Sequence, residues 1–371
     1  MKVIISGGGT GGHIFPAIAI AKCLQRRNKN CEVLFVGAEG KMEMQKVPQA
    51  GFKIIGLKIA GFQRKKLWKN ITLPFKMLSS YLNARKIIKS FAPDVVVGVG
   101  GYASWATLGQ AQKMGIPTLL QEQNSFAGKS NKILAAKAEK ICVAYDGMER
   151  FFPANKIIKT GNPVRKNICD IQDKMNELKS KGLKTYSLTE TKPTILVVGG
   201  SLGARTINES IENNLDYFIN NDIQLIWQTG KFYYDNIIAR TKEKIEHCNN
   251  IKITEFIQDM DLAYAVADII VSRAGALAIS ELCIVGKPVI LIPSPNVAED
   301  HQRKNAEALV NKNAALMILD GELESKLTST LDNIINNKEL QENLRKNILT
   351  LARIDADDKI VEQIEGIARK R

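Results

Sequence analysis

Three times in this chain a short apolar run closes on clustered glycines and gives way to a helix-like segment. The clusters are Ser6-Gly7-Gly8-Gly9-Thr10-Gly11-Gly12-His13, Gly98-Val99-Gly100-Gly101-Tyr102 and Gly199-Gly200-Ser201-Leu202-Gly203-Ala204. Glycine lets the backbone turn tightly and approach a ligand, and a following helix offers unpaired N–H groups and the positive end of its dipole to an anion. Strand-to-helix turns need small residues in any case, so one such loop reads equally as plain turn chemistry. Three of them, spread over both halves of one chain, favour a nucleotide site between two domains.

The intervening pattern alternates strand and helix. Strands are expected at Val3–Ile5, Glu32–Val36, Val95–Val99, Thr118–Leu120, Lys140–Val143, Thr194–Val198, Gln224–Gln228, Ile251–Thr254, Ile269–Val271 and Val289–Ile292. Short apolar strands separated by helices imply parallel sheets covered on both faces. Residues 166 to 192 are polar and strand-free, and Pro193 then opens a second strand-then-glycine unit as Lys2 opened the first. The expected class is α/β, two Rossmann-like domains with parallel sheets facing across a cleft, and ligand sites at the C-terminal ends of the strands. The domains are expected over residues 1–165 and 166–350, with a terminal helical segment, 351–371, packing back on the first.

At 371 residues, 45% hydrophobic and 24% charged, the chain suits two globular domains. No apolar stretch reaches the ~18 residues that span a bilayer, and Lys2-Val3-Ile4-Ile5 begins a strand directly after Met1, so a cytosolic location is expected. Cys23, Cys31, Cys142, Cys169, Cys248 and Cys283 are scattered, with no C-x-x-C pair and three histidines in all. They read as reduced, mostly buried thiols, with neither a zinc site nor a disulfide framework.

The net charge of +14 is unevenly spread. From Met44 to Pro93 there is no Asp or Glu, yet eleven cations: Lys46, Lys53, Lys58, Arg64, Lys65, Lys66, Lys69, Lys76, Arg85, Lys86 and Lys89. Such a block meets something anionic or is heavily solvated. Phe62, Leu67, Trp68, Ile71, Leu73, Phe75 and Leu78 crowd among the cations, a composition suited to inserting apolar groups at a lipid interface beside anionic headgroups. The alternative is a helix from about Pro74 to Phe91 that buries Leu78, Leu82, Ile88 and Phe91 in the core and merely solvates its lysines.

A dehydrogenase has to be weighed, because Gly7-x-Gly9-x-x-Gly12 matches the dinucleotide fingerprint formally. The acidic residue expected at the end of the second strand is missing: Gly37 and Ala38 stand there, and Glu39 comes late. No G-x-x-x-x-G-K-[ST] loop is present either, which excludes a P-loop nucleotidase.

Seven segments occur in a consistent order: Gly8-Gly9-Thr10-Gly11-Gly12-His13-Ile14-Phe15-Pro16-Ala17, Gly100-Gly101-Tyr102-Ala103-Ser104, Glu122-Gln123-Asn124, Gly161-Asn162-Pro163-Val164-Arg165, Gly199 to Ala204, Ser272-Arg273-Ala274-Gly275-Ala276, and Glu299-Asp300-His301-Gln302. Together they resemble the MurG family, glycosyltransferases that add N-acetylglucosamine to the lipid-linked muramyl-pentapeptide of peptidoglycan synthesis. The resemblance runs from Met1 to about Ala306. It implies a GT-B fold, a UDP-N-acetylglucosamine donor, inversion at the anomeric carbon, no metal requirement and no cofactor. It also implies a lipid I acceptor carried on undecaprenyl diphosphate, a peripheral position on the cytoplasmic face of the membrane, and other cell-wall synthesis proteins as possible partners. Leu202 stands where some members have glutamine.

By the same resemblance Thr10, Gly11 and Gly12 belong to the first donor-binding loop, Asn124 and Arg165 lie near the diphosphate and sugar, and Ser201 contacts the diphosphate. Ile257 reads the uracil through its backbone. Ala276, Leu277, Ala278, Ile279 and Ser280 begin a helix under the phosphates, Glu281 holds the ribose hydroxyls, and His301 and Gln302 grip the transferred sugar. Gly100, Gly101 and Tyr102 are expected to form acceptor-side loops, and, on the composition of the acid-free block, Phe62, Lys65, Lys66, Leu67, Trp68, Lys69 and Phe75 are expected to face the membrane. Helix packing for 276–281 and an interdomain salt bridge for Arg165 are the structural alternatives.

The chemistry required is a stabilised diphosphate leaving group and a base for the acceptor hydroxyl. Asp259-Met260-Asp261 and Asp355-Ala356-Asp357 fit the D-x-D string of metal-dependent transferases, but neither adjoins a glycine loop. They read as loop and as solvated tail. The N–H groups after Gly200, the Ser201 hydroxyl and the Arg165 guanidinium are expected to neutralise the departing charge instead. His13, closing a glycine loop at the head of a helix, is the candidate base, since imidazole exchanges protons near neutrality. A histidine that only hydrogen-bonds the loop is its alternative. Another GT-B transferase with a membrane lipid acceptor, such as a diacylglycerol glycosyltransferase, shares these features. A non-catalytic nucleic-acid binder rests on the basic block alone, no nucleic-acid fold being readable, and no nucleic-acid partner is expected.

Overall fold

The structure, a computed structural model, describes residues 1–59, 73–246 and 248–369, with the side chains of 73–76 and 298 excepted. The chain divides into two compact units, one formed by Met1–Val164 with Arg353–Arg371 and the other by Arg165–Ala352.

In the first unit seven parallel strands run in the order β3-β2-β1-β4-β5-β6-β7. These are β1 (Lys2–Ser6), β2 (Glu32–Ala38), β3 (Lys53–Leu57), β4 (Val95–Gly98), β5 (Thr118–Glu122), β6 (Lys140–Val143) and β7 (Ile157–Lys159). The central strands are continuous apolar runs because helices cover both faces: Val3, Ile5, Val95 and Val97 point into one core, Ile4, Val96, Leu120 and Ile141 into the other. Helix α1 (Gly11–Arg27) follows β1, α2 (Glu43–Gln49) follows β2, α3 (Leu73–Phe91) precedes β4, and α4 (Tyr102–Lys113) follows it.

The second unit repeats the plan with six parallel strands in the order β10-β9-β8-β11-β12-β13. They are β8 (Thr194–Val198), β9 (Gln224–Gln228), β10 (Ile251–Thr254), β11 (Ile269–Arg273), β12 (Val289–Ile292) and β13 (Leu316–Met317). Both sheets therefore have the Rossmann-like winding expected of the sequence. The three strands absent from the sequence reading, β3, β7 and β13, all lie at sheet edges. Edge strands bury one side and are short here, so Ile55 of β3 is 41% exposed and β13 has only two residues, too few to print a period.

The chain returns to the first unit in its last helix, Ala356–Ala368. Ile360, Val361, Ile364 and Ile367 enter the same core as Val3, Ile20 and Leu24. Arg26 and Arg27 of α1 clasp it from outside, reaching Asp358 at 2.9 Å and Glu365 at 3.2 Å. Asp355-Ala356-Asp357 is thus not a solvated tail: Ala356 is buried, and Asp357 receives Arg26 at 3.3 Å. The other D-x-D string also differs from expectation, since Asp261 stands in the first turn of the helix Met260–Val266 rather than in a loop.

Buried apolar contact should outweigh the exposed ion pairs in this clasp. Ile364→Ala is expected to destabilise the first unit by about 2–5 kcal/mol, and Arg27→Ala by less than about 1 kcal/mol. Urea titration of the two variants gives the ordering, and an Arg27→Ala loss equal to that of Ile364→Ala would place the stability in the ion pairs.

Candidate active site

In a doubly wound sheet a crevice opens where the strand order reverses. In the first unit this happens between β1 and β4, whose ends are level, Ser6 standing beside Gly98. The first two glycine clusters leave the sheet side by side at that point, and they touch so closely that side chains are excluded. A Cβ on Gly7 would lie 2.2 Å from Val99 Cγ2, and one on Gly101 would lie 2.8 Å from the Gly8 carbonyl oxygen. Gly100 and Gly101 also hold φ of +101° and +92°, which L side chains rarely adopt.

His13 sits in the first turn of α1 against this junction. Its Nδ1 is 3.0 Å from the Gly8 carbonyl oxygen and 3.5 Å from Thr10 Oγ1. A carbonyl has no proton to give, so Nδ1 is the donor and Nε2 is left with its lone pair. Nε2 lies over Gly100, where an added Cβ would come within 2.9 Å. The imidazole therefore hydrogen-bonds the loop and keeps a basic nitrogen as well. Thr10, Gly12, Phe15 and Tyr102 are exposed around it.

Asn124 belongs to the same unit, just beyond β5. Its backbone and side-chain nitrogens donate to Glu122 Oε1 at 3.1 and 3.3 Å. The other Glu122 oxygen accepts from Gly128 N at 3.0 Å and Asn131 Nδ2 at 2.9 Å, so one buried carboxylate shapes the whole turn.

The second unit has its own switch point between β8 and β11, with Val198 beside Ser272. The third glycine cluster leaves β8 there. Gly203 N donates to the Gly200 carbonyl oxygen at 3.0 Å, closing a tight turn that leaves Ser201 and Leu202 exposed. Gly275 precedes the helix Ala276–Val285, whose first turn carries no side-chain cap. Ala276 and Ile279 are buried under it, and Leu277, Ala278 and Ser280 are partly exposed.

Glu281, on that helix, is tightly engaged. Arg165 Nε and Nη2 reach its two oxygens at 2.8 and 3.0 Å, and the Tyr264 hydroxyl donates to Oε2 at 3.1 Å. Burial works against the Arg165 charge, but the Glu281 carboxylate more than offsets it. Burial first and the Glu281 charge second push the Tyr264 phenol well above its ordinary range, so it remains a proton donor. Three of the roughly four acceptor sites of a carboxylate are thereby filled. Arg165 forms this pair within the second unit, with which it groups.

Ile257 is buried, and its N–H already donates to Gln228 Oε1 at 2.9 Å, which leaves recognition to its carbonyl. Glu299 and Asp300 hold left-handed conformations, φ +57° and +53°, immediately before the helix His301–Val310. That kink sets His301 and Gln302 at the helix head, and Gln302 Oε1 accepts from Ser294 N at 2.9 Å. Glu122, Gln228 and Tyr264 were not assigned from the sequence. Glu122 and Gln228 close strands β5 and β9, the position where polar residues in a buried strand carry information, whereas Tyr264 gives no local signal.

Comparison with known proteins connects these loops to a chemistry. Residues 3–143 match the glycosyltransferase family 28 N-terminal domain, and residues 194–361 match the family's C-terminal domain. A UDP-N-acetylglucosamine--N-acetylmuramyl-(pentapeptide) pyrophosphoryl-undecaprenol N-acetylglucosamine transferase of Cytophaga hutchinsonii is 54% identical over 98% of this chain and 96% of its own length. The protein of the same name from Bacteroides thetaiotaomicron is 54% identical over 99% of this chain and 98% of its own. The chain belongs to the MurG family. A crystal structure of Acinetobacter baumannii MurG superposes with a TM-score of 0.79 at 28% identity, covering 98% of this chain and 99% of that one. The GT-B fold is thereby shown. A UDP-GlcNAc 2-epimerase from Neisseria meningitidis, 16% identical with a TM-score of 0.69 and coverage of 99% and 100%, shares the fold.

Of the residues expected to face a membrane, Phe62, Lys65, Lys66, Leu67, Trp68 and Lys69 lie outside the described residues, as does the side chain of Phe75. The described part of α3 bears on the alternative in which this helix buries Leu78, Leu82, Ile88 and Phe91. Ile88 is buried, but Leu78 and Leu82 are 58% and 50% exposed, and the face turned inward is Ser80, Ala84 and Ile88. The spacing of Leu78 and Leu82 fits a helical stripe, and it is the outer one, continued by Arg85, Lys86 and Lys89.

Among the described residues one cluster, Cys23 with Asp357 and Asp358, has metal-ligand geometry. Arg26 Nη2 occupies its centre, 3.2 Å from Sγ, 3.3 Å from Asp357 and 2.9 Å from Asp358, so a cation is already there. Burial, followed by the two aspartates, pushes the Cys23 thiol up to about 12, and burial does the same to Cys142. Neither is a thiolate at working pH. Titration of the native protein with an aromatic disulfide at mildly alkaline pH should consume at most the two partly exposed thiols, Cys169 and Cys248, and all six only in denaturant. Rapid reaction of Cys23 in the native state would contradict the burial.

Proposed function

We propose that the protein transfers N-acetylglucosamine from UDP-N-acetylglucosamine to the muramyl-pentapeptide of lipid I, giving lipid II for peptidoglycan synthesis. What supports this most directly is the content of the two switch points: an imidazole with a free basic nitrogen in one, and an anion-ready glycine turn with a carboxylate–arginine pair in the other. A reaction that both deprotonates a hydroxyl and releases a diphosphate uses both sets. The acceptor hydroxyl attacks the anomeric carbon from the face opposite the leaving group, its proton passes to His13 Nε2, and the carbon–oxygen bond to the diphosphate breaks with its electron pair. A single displacement of this kind inverts the anomeric centre.

The donor is held by the second unit. Backbone N–H groups at Gly200–Leu202 and the Ser201 hydroxyl meet the diphosphate, with the helix Ala276–Val285 beneath it. The Ile257 carbonyl accepts from the uracil, and Gln302, its oxygen committed to Ser294, turns its amide N–H groups to the sugar. Glu281 has too few open acceptor sites for both ribose hydroxyls while Arg165 holds two of them. Donor binding therefore moves Arg165 from the carboxylate to the diphosphate, which frees Glu281 for the ribose and puts a guanidinium on the leaving group. Within the first unit, Thr10, Gly11, Gly12 and Asn124 are the residues assigned to the donor, and Gly100, Gly101 and Tyr102 those assigned to the acceptor. Transfer proceeds without a metal or cofactor.

A muramyl lipid with an isoprenoid tail stays in the bilayer, so the enzyme has to work at its surface. Among the described residues no helix is long and apolar enough to cross a membrane. The stripe Leu78, Leu82, Arg85, Lys86 and Lys89 offers what peripheral docking on the cytoplasmic face needs, and the exposed Ile133 adds apolar area. Cations contribute about 1 kcal/mol each near an anionic surface. The segment that carries Phe62, Lys65, Lys66, Leu67, Trp68, Lys69 and Phe75 has the same mixture of cations and apolar groups in its sequence. Other cell-wall synthesis proteins are possible partners there.

Transfer from labelled UDP-N-acetylglucosamine to a muramyl-pentapeptide diphospholipid should persist in excess chelator. Activity that vanishes with chelator and returns with Mn²⁺ or Mg²⁺ would overturn the metal-free mechanism, and transfer to diacylglycerol in place of the muramyl lipid would change the acceptor. His13→Ala is expected to lose most of kcat with donor affinity little changed. Glu281→Gln should weaken UDP and UDP-N-acetylglucosamine together, and Gln302→Ala mainly the sugar nucleotide. Equal losses for both ligands in both variants would overturn the assigned roles. For the membrane, Leu78→Ser with Leu82→Ser, or Lys86→Glu with Lys89→Glu, should reduce sedimentation with anionic vesicles and spare turnover of a short-chain soluble acceptor. Vesicle binding unchanged in both would move the docking face elsewhere.

A further inference from the structure

Beneath the first glycine cluster lies a carboxylate that no part of this mechanism uses. We infer that Glu43 is a positioning residue, which fixes the place and the tautomer of the His13 imidazole through the glycine loop. Its bearing on turnover rests on the reading of His13 as the base; its hold on the imidazole does not.

Glu43 is the first residue of α2 and only 1% exposed. A buried carboxylate is costly unless its oxygens are hydrogen-bonded. Here Oε2 accepts from Gly9 N and Oε1 from Ala38 N, each at 3.0 Å. It thus ties the loop after β1 to the end of β2. The glycines around it are shaped to that carboxylate: a Cβ on Gly8 would fall 2.1 Å from Oε1, and one on Gly37 would fall 2.6 Å from Cγ. Gly8, pressed on the carboxylate and held at φ +151°, is the residue whose carbonyl receives His13 Nδ1–H. The chain of contacts is short and rigid: the carboxylate holds Gly9 and shapes Gly8, and the Gly8 carbonyl decides which ring nitrogen carries the proton.

Replacing the carboxylate by its amide breaks this chain without changing its volume. One oxygen becomes an NH₂ group facing a backbone N–H, two donors cannot bond, and either the Gly9 or the Ala38 contact is lost. Histidine was the residue seen in the sequence because the glycines lead to it. Glu43 lies five residues past the strand end where a dinucleotide-binding fold would carry its acid, and so drew no attention.

The test uses the full chain with isotope-labelled histidine; with three histidines in all, the His13 ring resonances are assigned by their loss in His13→Ala. In the parent protein, at a pH where the ring is neutral, one protonated Nδ1 and one unprotonated Nε2 are expected. In Glu43→Gln the two nitrogens should move toward averaged signals as the tautomers mix, while the thermal transition of the variant stays cooperative. Turnover should fall by roughly tenfold to a hundredfold with KM for UDP-N-acetylglucosamine within about twofold. Should Glu43→Gln fail to fold, Glu43→Asp, which keeps the charge but is too short to span both donors, gives the same readout. A single unchanged Nδ1–H tautomer in whichever variant folds overturns the proposal. Mixed tautomers with full turnover would leave Glu43 as the positioner of the imidazole and remove His13 from the chemistry, so the two readings fail separately.

Discussion

The first unit depends on one close approach, the meeting of two glycine loops where β1 and β4 end level. Ser6 beside Gly98 sets the height, and the mutual exclusion of side chains at Gly7, Gly100 and Gly101 sets the distance. A single methyl group at any of these positions needs space already held by a neighbour's atoms. What that packing secures is an imidazole in the first turn of α1 with one nitrogen bonded to the loop and the other presented over Gly100. The alternative readings of His13, structural anchor or base, are thus one arrangement, since the anchoring bond is what leaves Nε2 unprotonated.

The second unit solves a different electrostatic problem with the same topology. Its glycine turn leaves Ser201 and Leu202 exposed, and Arg165 and Glu281 of the same unit are satisfied by each other. An ion pair of this kind has a low cost, because each charge is hydrogen-bonded. The pair keeps a cation and an anion side by side. Tyr264 holds the carboxylate from the buried side by a bond of its own, separate from the two that Arg165 makes.

Much of this was legible in the residues. The strand-glycine-helix grammar gave two parallel sheets because a fully covered strand has to be apolar throughout, and such runs stand out. The edges were lost for the converse reason: β3 presents Ile55 to solvent and β13 is two residues long. The two readings of α3 stayed open because Leu78, Leu82 and Ile88 look alike in one dimension. The inner stripe turned out to pair Ile88 with the small residues Ser80 and Ala84, which hydrophobicity alone does not nominate. At the site, residues that follow glycines were found and those that brace them from behind, Glu43, Glu122 and Tyr264, were not. Bracing acts through contacts distant in sequence, 34 residues from Glu43 to Gly9, and no local spacing encodes it.

Glycine clusters that look equivalent in the sequence also prove to do unequal work. A loop of free N–H groups at the head of a helix is anion-seeking by default. In the first cluster, however, Gly9 N–H is already bonded to an anion of the protein's own, Glu43, and Gly8 lends its carbonyl to His13. The second cluster supplies closeness rather than donors, its positive φ values and missing side chains making room for the imidazole. Among the described residues no carboxylate bonds the backbone of the third turn, and Ser201 stands exposed at its tip. Phosphate affinity at such a loop is therefore decided by where its N–H groups are already spent. A negative side chain buried behind the turn converts an anion cradle into a fixed frame for an imidazole, and the presence or absence of that side chain is what distinguishes the glycine turns of these two similar sheets.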